Sequence, residues 1–598
     1  MDYPINGLLC YVSGLFKSLF ISTFSSGYCC GGYDRHGSFP VSLLLQCFKI
    51  RNTMISYAKR FPYLCWIFFG GLVFLSNLGA SHLFDWDEIN FAESAREMLV
   101  SQDFLSVQIN FLPFWEKPPL FIWLQALSFM FFGTFTEHAW TSMEFAARFP
   151  NAIVGISTLL LIFKIGKKHF SDNFGHLWSF SYLVAITPHV YSSSGIIDPL
   201  FNLFIFLGIY YFAEFYADSS RVKNAILAGV MIGLGMLTKG PVALLLWGLT
   251  LLVFGIIHRK EVMPRFFTLL KAAILSATIA CLFFVSWYGL IALKFGMGII
   301  EDFFAYQIRL LTTGDAGHGQ PFYYHALVLL LGCFPISILA LNRIFVKKES
   351  TAFASWMKVL FWVVLILFSL VKTKIVHYSS MCWLPITFFS AHVLHAWHEG
   401  NLPWNRFKTI LFVVVGLLLG LIFTLVPLIG ENPSVFLPYI QDGFVRGNLQ
   451  SPVAWHGFEK WIGVVWSALI IYSVWVKNGL SFQKFLICMT LSICLIFAYS
   501  RYVVPKIEGY TQATPIDFYI AKSGQKVYVE TIGFKSFAHL LYFQKQAGSP
   551  TSEELMNRSS VDRPAFFVMK SDAEDRFKYH PNLILINKEN GFMFYKHR

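Results

Sequence analysis

Five carboxylates, Asp85, Asp87, Glu88, Glu93 and Glu97, stand in the stretch SHLFDWDEINFAESAREML, residues 81–99, against one basic residue, Arg96. The run before them, YLCWIFFGGLVFLSNLGA, is apolar enough to cross a membrane. Ionised carboxylates beside hydrocarbon are costly and mark a polar cavity or a functional site. Asp87 and Glu88 lie at the mouth of that run, where a carboxylate could take the proton of an acceptor hydroxyl. Glu93 and Glu97, four apart with Arg96 between them, read instead as the charged face of a solvated surface helix.

Other residues of useful type follow. In FWEKPPLF, 114–121, Glu116 and Lys117 precede two prolines, which restrict their own φ and that of the residue before them. A Glu and Lys pinned in this way suit a phosphate or metal clamp, or an interfacial salt bridge. SSSGIIDPLF places Asp198 before a proline, a frequent helix start. GMLTKGPVALLL puts Lys239 at a Gly-Pro break, either a flexible loop or a cation for an anionic head group. TTGDAGHGQPFYYH sets His318 among glycines, and SLVKTKIVHYSSMCWLP gathers Lys372, Lys374, His377 and Tyr378 at a helix junction.

These residues need a membrane scaffold. Of 598 residues 56% are hydrophobic and 14% charged, and the mean hydropathy is +0.55, which an ordinary soluble surface excludes. The net charge of +13 is explained by basic residues on cytoplasmic loops rather than by nucleic acid. The ten cysteines show no zinc-site spacing. Apolar runs of about 17 to 25 residues fall at 62–80, 146–166, 176–194, 200–217, 222–238, 240–257, 270–293, 321–341, 352–371, 376–396, 407–429, 459–476 and 482–499. Basic residues on alternate connections (Lys167/Lys168, Arg221/Lys223, Arg259/Lys260, Arg343/Lys347) mark the cytoplasmic side. The long connections 81–145, 294–320 and 430–458 then face outward, as does the C-terminus. The apolar segment 118–133 is too short to be a span and reads as a juxtamembrane helix.

Residues 500–598 are more polar and predict a small α/β domain: QKVYVET and PAFFVMK as strands, FKSFAHLLYFQKQ as a helix, and a hairpin turning at Asn590-Gly591. The chain thus divides into an N-terminal extension, 1–53, a membrane domain, 54–499, and this extracytoplasmic domain.

One reaction uses the whole inventory. A sugar carried on a lipid phosphate already has a good leaving group, so the two-carboxyl machinery of glycoside hydrolysis is not needed. One carboxylate to accept the acceptor's proton and cations to neutralise the departing phosphate suffice. Asp87 with Lys117, Lys239, Lys372 and Lys374 fits that need. A transporter or flippase of the same lipid would also place polar residues at broken helices, but here the charge gathers on one face.

The motifs WDEINFAESAREML, FWEKPP, IDPLF, TKGPVALLL and KTKIVHYSSMCWLP occur in an order and spacing that resembles the bacterial GT-C glycosyltransferases, the aminoarabinose lipid A transferases and relatives of the protein O-mannosyltransferases, over about residues 60–400. The resemblance implies an all-α polytopic GT-C fold of about thirteen membrane helices in a bacterial inner membrane. It also implies an inverting transfer of one sugar from a polyprenyl-phosphate donor to a lipid, protein or polysaccharide acceptor on the outer face. Asp87 is then the base. Glu88, Lys117, Asp198, Lys239, Lys372, Lys374 and Tyr378 bind substrate, and Glu116 and His318 are candidate ligands of a divalent metal ion. Asn90, Phe91 and Trp115 depart from the family pattern, where a basic residue, a hydroxylated aromatic and a Tyr are usual.

Overall fold

Helix occupies all thirteen apolar runs in the computed structural model, which describes residues 60–598 apart from 313–318, 347–348, 350, 402–404, 476–480 and 578, and apart from the side chains of 306, 307, 310 and 311. The extension 1–53 and His318 lie outside the described residues. The first half of the bundle comprises α1 Pro62–Leu75, α2 Asp87–Ser101, α3 Leu120–Phe132, α4 Met143–His169, α5 Asp172–Val184, α6 Ile186–Tyr191, α7 Asp198–Ala217, α8 Val222–Lys239, α9 Val242–Ile257 and α10 Phe266–Phe295. It continues with α11 Gly298–Thr312, α12 Tyr324–Gly332, α13 Ile336–Ile344, α14 Ala352–Leu370, α15 Trp383–His398, α16 Arg406–Glu431, α17 Lys460–Trp475, α18 Phe482–Tyr502, α19 Val504–Thr511 and α20 Ala513–Lys522. Among the described residues, seven helices are both long and apolar enough to cross a membrane, and shorter apolar ones include α1, α3, α9 and α17.

Three runs are broken rather than straight. The run 176–194 divides between α5 and α6 because Pro188 has no N–H to give the carbonyl of Val184, where α5 stops. Pro335 separates α12 from α13 in the same way. The run 376–396 opens as a 3₁₀ turn, Val376–Cys382, before α15. Irregular backbone at membrane depth is tolerated where it lines a cavity or is buried in protein, and two of these breaks border the site described below.

The first outer loop carries α2, the two-stranded ribbon Gln108–Ile109 with Leu112–Pro113 (β1, β2), and α3. At about 1.5 Å per residue, α3 is far short of a bilayer's ~30 Å core, in keeping with a juxtamembrane helix. Its outward residues Leu127, Met130 and Phe131 are exposed, while Phe121, Ile122 and Phe129 are buried.

The expectation for Glu93, Arg96 and Glu97 is overturned. All three are buried at 0–1% exposure. The Arg96 guanidinium makes two hydrogen bonds to the Glu93 carboxylate, of 2.6 and 2.7 Å, and one to the Lys545 carbonyl at 3.0 Å. Glu97 accepts from the Phe111 N–H at 2.8 Å. Local spacing suggested a wet face, but two segments distant in sequence cover it. Burial and the neighbouring Glu93 push the Glu97 carboxyl up to about 9. Glu97 is therefore protonated in the fold and ionised in the unfolded chain at neutral pH, and its contribution to stability falls as pH rises from the unfolded value toward 9. Glu97→Gln should flatten the loss of thermal stability between pH 6 and 9, measured as Tm in detergent. An unchanged slope would contradict this assignment.

The C-terminal sheet has strand order β3-β4-β6-β5, from Tyr528–Thr531 (β3), Ala565–Lys570 (β4), Leu583–Glu589 (β5) and Phe592–His597 (β6). β3 and β4 are parallel, with Tyr528 opposite Ala565, and β4–β6 and β5–β6 are antiparallel. The hairpin turns at Asn590-Gly591, whose φ values of 51° and 78° are those a two-residue primed turn needs, so Asn-Gly is the fitting dipeptide. Alternation gives the sheet two apolar faces. Val568, Phe592 and Phe594 join the core of the membrane bundle, while Phe567, Met569, Met593 and Tyr595 form a second core with Leu555. The helix predicted across FKSFAHLLYFQKQ is shorter, Ala538–Phe543 (α21), because Ser536 ends the preceding loop by accepting from Ala538 N–H at 3.1 Å.

Candidate active site

Asp87 is the first residue of α2, and its side chain is 36% exposed in a cavity of about 430 Å³ bordered by Trp86, Arg148, His189, Tyr191, Ser194 and His377. The loop before it is held from two sides. Gln512 spans Leu83 and Asp85, accepting from Asp85 N–H at 3.2 Å and donating to Leu83 O at 2.7 Å. Tyr542 accepts from Leu83 N–H at 2.8 Å, and Ser536 donates to the Asp85 carboxylate at 2.5 Å.

From the other side comes Arg148 in α4. It donates to both oxygens of Glu88, at 2.9 and 2.8 Å, and to the carbonyls of Leu78, Ser81 and His82. Glu88 also accepts from Phe84 N–H at 2.9 Å and Gly195 N–H at 2.5 Å. Burial opposes its charge, but Arg148 and these donors outweigh that cost and hold the carboxyl below its ordinary range. Glu88, expected from the sequence to bind substrate, borders the first cavity with both oxygens engaged by Arg148 and backbone donors, and so also holds the loop in place. Asn151, one turn after Arg148, donates to the carbonyls of Ser194 and Ile196 at 2.7 and 2.5 Å and so fixes the entry into α7.

Asp198 starts α7 and is 3% exposed. Its Oδ1 pairs with Lys239 Nζ at 2.6 Å, and its Oδ2 is 3.9 Å from His377 Nε2. The same Nε2 is 3.9 Å from Asp87 Oδ2, so His377 stands between the two carboxylates. Lys239 is the last residue of α8, with its ammonium over the rings of Tyr378 at 5.2 Å and Phe201 at 5.7 Å. Gly240 follows at φ +86°, and a Cβ there would stand 3.0 Å from the Phe303 ring, which is why this break needs glycine.

Glu116, Lys117, Asp198, Lys239 and Tyr378 share a second cavity, about 230 Å³, with Asn202 and Ser380 and a mainly apolar remaining wall that includes Val242, Leu245, Leu246, Phe304, Phe368 and Val371. His377 lines the first cavity and Asp198 the second, so the two cavities meet at this 3.9 Å contact. A polar end with two ammonium groups that runs into a hydrocarbon-lined slot suits a lipid phosphate.

Two lysines expected in the site are not there. Lys372 is exposed and borders neither cavity. Lys374 is buried with its ammonium turned back to the Val371 carbonyl at 2.7 Å, satisfying an open acceptor just past the end of α14. The functional neighbours that sequence reading missed are Arg148, Asn151 and Asn202, the last donating to Ser380 Oγ at 2.9 Å. An Arg inside the apolar run 146–166 was the available signal, since such a residue in a span needs a buried partner. For a metal, no group of three or more His, Cys, Asp or Glu side chains is assembled among the described residues. Glu116 faces the cavity, but Asp198 is already committed to Lys239, so the described donors do not form a metal's ligand set.

The fold that holds this pair of cavities is that of a polytopic membrane protein. The chain superposes on the crystal structure of ArnT from Cupriavidus metallidurans bound to undecaprenyl phosphate with a TM-score of 0.67 at 15% identity, covering 89% of this chain and 97% of that one. Residues 116–288 match the family described as Dolichyl-phosphate-mannose-protein mannosyltransferase. An uncharacterized protein of Aquifex aeolicus is 32% identical over 47% of this chain and 61% of its own length. The undecaprenyl phosphate-alpha-4-amino-4-deoxy-L-arabinose arabinosyl transferase of Erwinia tasmaniensis is 27% identical over 54% of this chain and 58% of its own. The matches thus span about three-fifths of these relatives' lengths. The chain has the fold of ArnT.

Proposed function

We propose that this protein is an inverting glycosyltransferase that moves one sugar from a polyprenyl-phosphate donor to an acceptor on the outer face of a bacterial inner membrane, with residues 500–598 on that face. The observation that carries the reading is the pair of cavities: a part-exposed carboxylate, Asp87, in one, and Lys117 with Lys239 at the polar end of an apolar slot in the other. The relatives named as arabinosyl transferases act with undecaprenyl phosphate, which supports the donor class. The acceptor is a hydroxyl-bearing lipid, protein or polysaccharide.

In this reaction the acceptor oxygen attacks the anomeric carbon as its proton passes to Asp87. The bond from that carbon to the phosphate oxygen breaks on the opposite side, and the phosphate leaves with the electron pair. Inversion follows from attack and departure on opposite faces. Lys117 and Lys239 neutralise the phosphate's growing charge, where fixed cations in a dry site act strongly. Asp198 fixes Lys239 and faces His377, which keeps the base and the cation in register.

Lys117→Ala should weaken donor binding about tenfold or more, since charge-assisted hydrogen bonds to phosphate are worth roughly 1.5–3 kcal/mol. Acceptor affinity should change little. Titration with polyprenyl phosphate checks this, and equal donor affinity in the two proteins would remove Lys117 from the phosphate site. A flippase remains the rival reading, favoured only by the broken helices.

A further inference from the structure

The helices that build the phosphate slot enclose another cavity at their opposite ends. It measures about 510 Å³ and lies between the C-terminal parts of α7 and α9, the start of α10 and the first turns of α14. Phe212, Tyr216, Phe254, Leu269 and Trp356 make a floor that is at most 8% exposed. The Trp356 and Phe254 rings stack at 3.6 Å and 6°. The rim is open: Leu252, Ile256, Met263 and Leu270 are 41–68% exposed, so the groove faces the lipid around the bundle.

Polar groups gather at one end. Arg259, at the mouth, is exposed and has no carboxylate partner among the described residues, as is true of Lys260 beside it. Arg265 is anchored close by, donating to Tyr216 O at 2.9 Å with its guanidinium 4.5 Å from the Tyr216 ring. A nearby carboxylate, Glu261, accepts from Tyr216 OH at 3.1 Å and faces His258 at 3.6 Å. On the floor, the Trp356 indole N–H is a buried donor without an acceptor. A hydrocarbon-lined slot with uncommitted cations at its mouth is complementary to a lipid with an acyl chain and an anionic head group.

We propose that this groove is a binding site for an anionic phospholipid, its acyl chain on the Trp356–Phe254 floor and its phosphate on Arg259. The site is separate from the phosphate slot and does not depend on the glycosyltransferase reading. Gly255 offers a direct test, because a Cβ built there meets nothing within 4 Å and the position lines the groove inside α9. A side chain there starts into open space and strengthens the helix.

The experiment is native mass spectrometry of the full chain in detergent, titrated with phosphatidylglycerol or phosphatidylcholine of identical chains. The wild type should carry phosphatidylglycerol about fivefold more tightly at one site, as a cation near a lipid phosphate implies. Gly255→Leu should lose that site for both lipids while keeping or raising Tm. Arg259→Gln should bind the two lipids equally. Inorganic phosphate at the same concentration should not displace the lipid, which separates a head group from free phosphate. Equal binding of both lipids by the wild type, unchanged binding by a folded Gly255→Leu protein, or displacement by inorganic phosphate would each overturn the proposal.

Discussion

Asp87→Asn should all but abolish the proposed sugar transfer, with kcat falling by a factor of roughly 10²–10⁴, the range over which positioned bases contribute, while the protein should accumulate normally and still bind polyprenyl phosphate. The asparagine keeps the volume and the hydrogen-bonding shape but cannot take a proton. Asp87 is free for that task in a way the neighbouring acids are not. Asp85 is bound by Ser536, Glu88 by Arg148 and two backbone N–H groups, and Asp198 by Lys239. Transfer at half the wild-type rate or better would place the base elsewhere.

The second large effect is structural. Arg148→Met leaves the buried Glu88 carboxylate without its partner and frees three carbonyls from their donor. Losing one side of a buried ion pair costs about 3–5 kcal/mol, because the remaining charge stays desolvated. The variant should unfold at clearly lower temperature in detergent and should lose activity through displacement of the 78–88 loop. Arg148→Met with Glu88→Leu should regain part of that stability, since an apolar pair leaves no stranded charge. Failure of the double variant to recover any Tm would mean that the carbonyl contacts, rather than the ion pair, hold the loop.

The fold was legible where one-dimensional patterns carry it. Length and hydropathy located the membrane runs, and Asn590-Gly591 marked the hairpin. That Asp87, Glu116, Lys117, Asp198 and Lys239 would border a cavity was legible because carboxylates and lysines at the ends of apolar runs are costly unless they face one.

What stayed hidden depends on contacts between distant segments. Nothing within residues 81–99 says that the Lys545 carbonyl and the Phe111 N–H will bury Arg96 and Glu97, 449 and 14 residues away. Spacing along a helix shows which residues share a face and not what covers that face. Lys372 and Lys374 show the converse error. Both lie in the right junction, but in extended chain successive side chains leave in different directions, and only the turn that starts at Val376 delivers His377 and Tyr378 to the cavities.

Bond cleavage in the lipid-linked donor is tested most directly by one measurement. Vesicles containing the purified protein, loaded with lipid-linked sugars and acceptors extracted from its host's envelope, are followed by mass spectrometry of the lipid pool. Free polyprenyl phosphate should appear in step with the glycosylated acceptor, and neither should appear with Asp87→Asn. Passage of the lipid-linked sugar to the other leaflet with its sugar–phosphate bond intact, at the same rate in both proteins, would contradict the account.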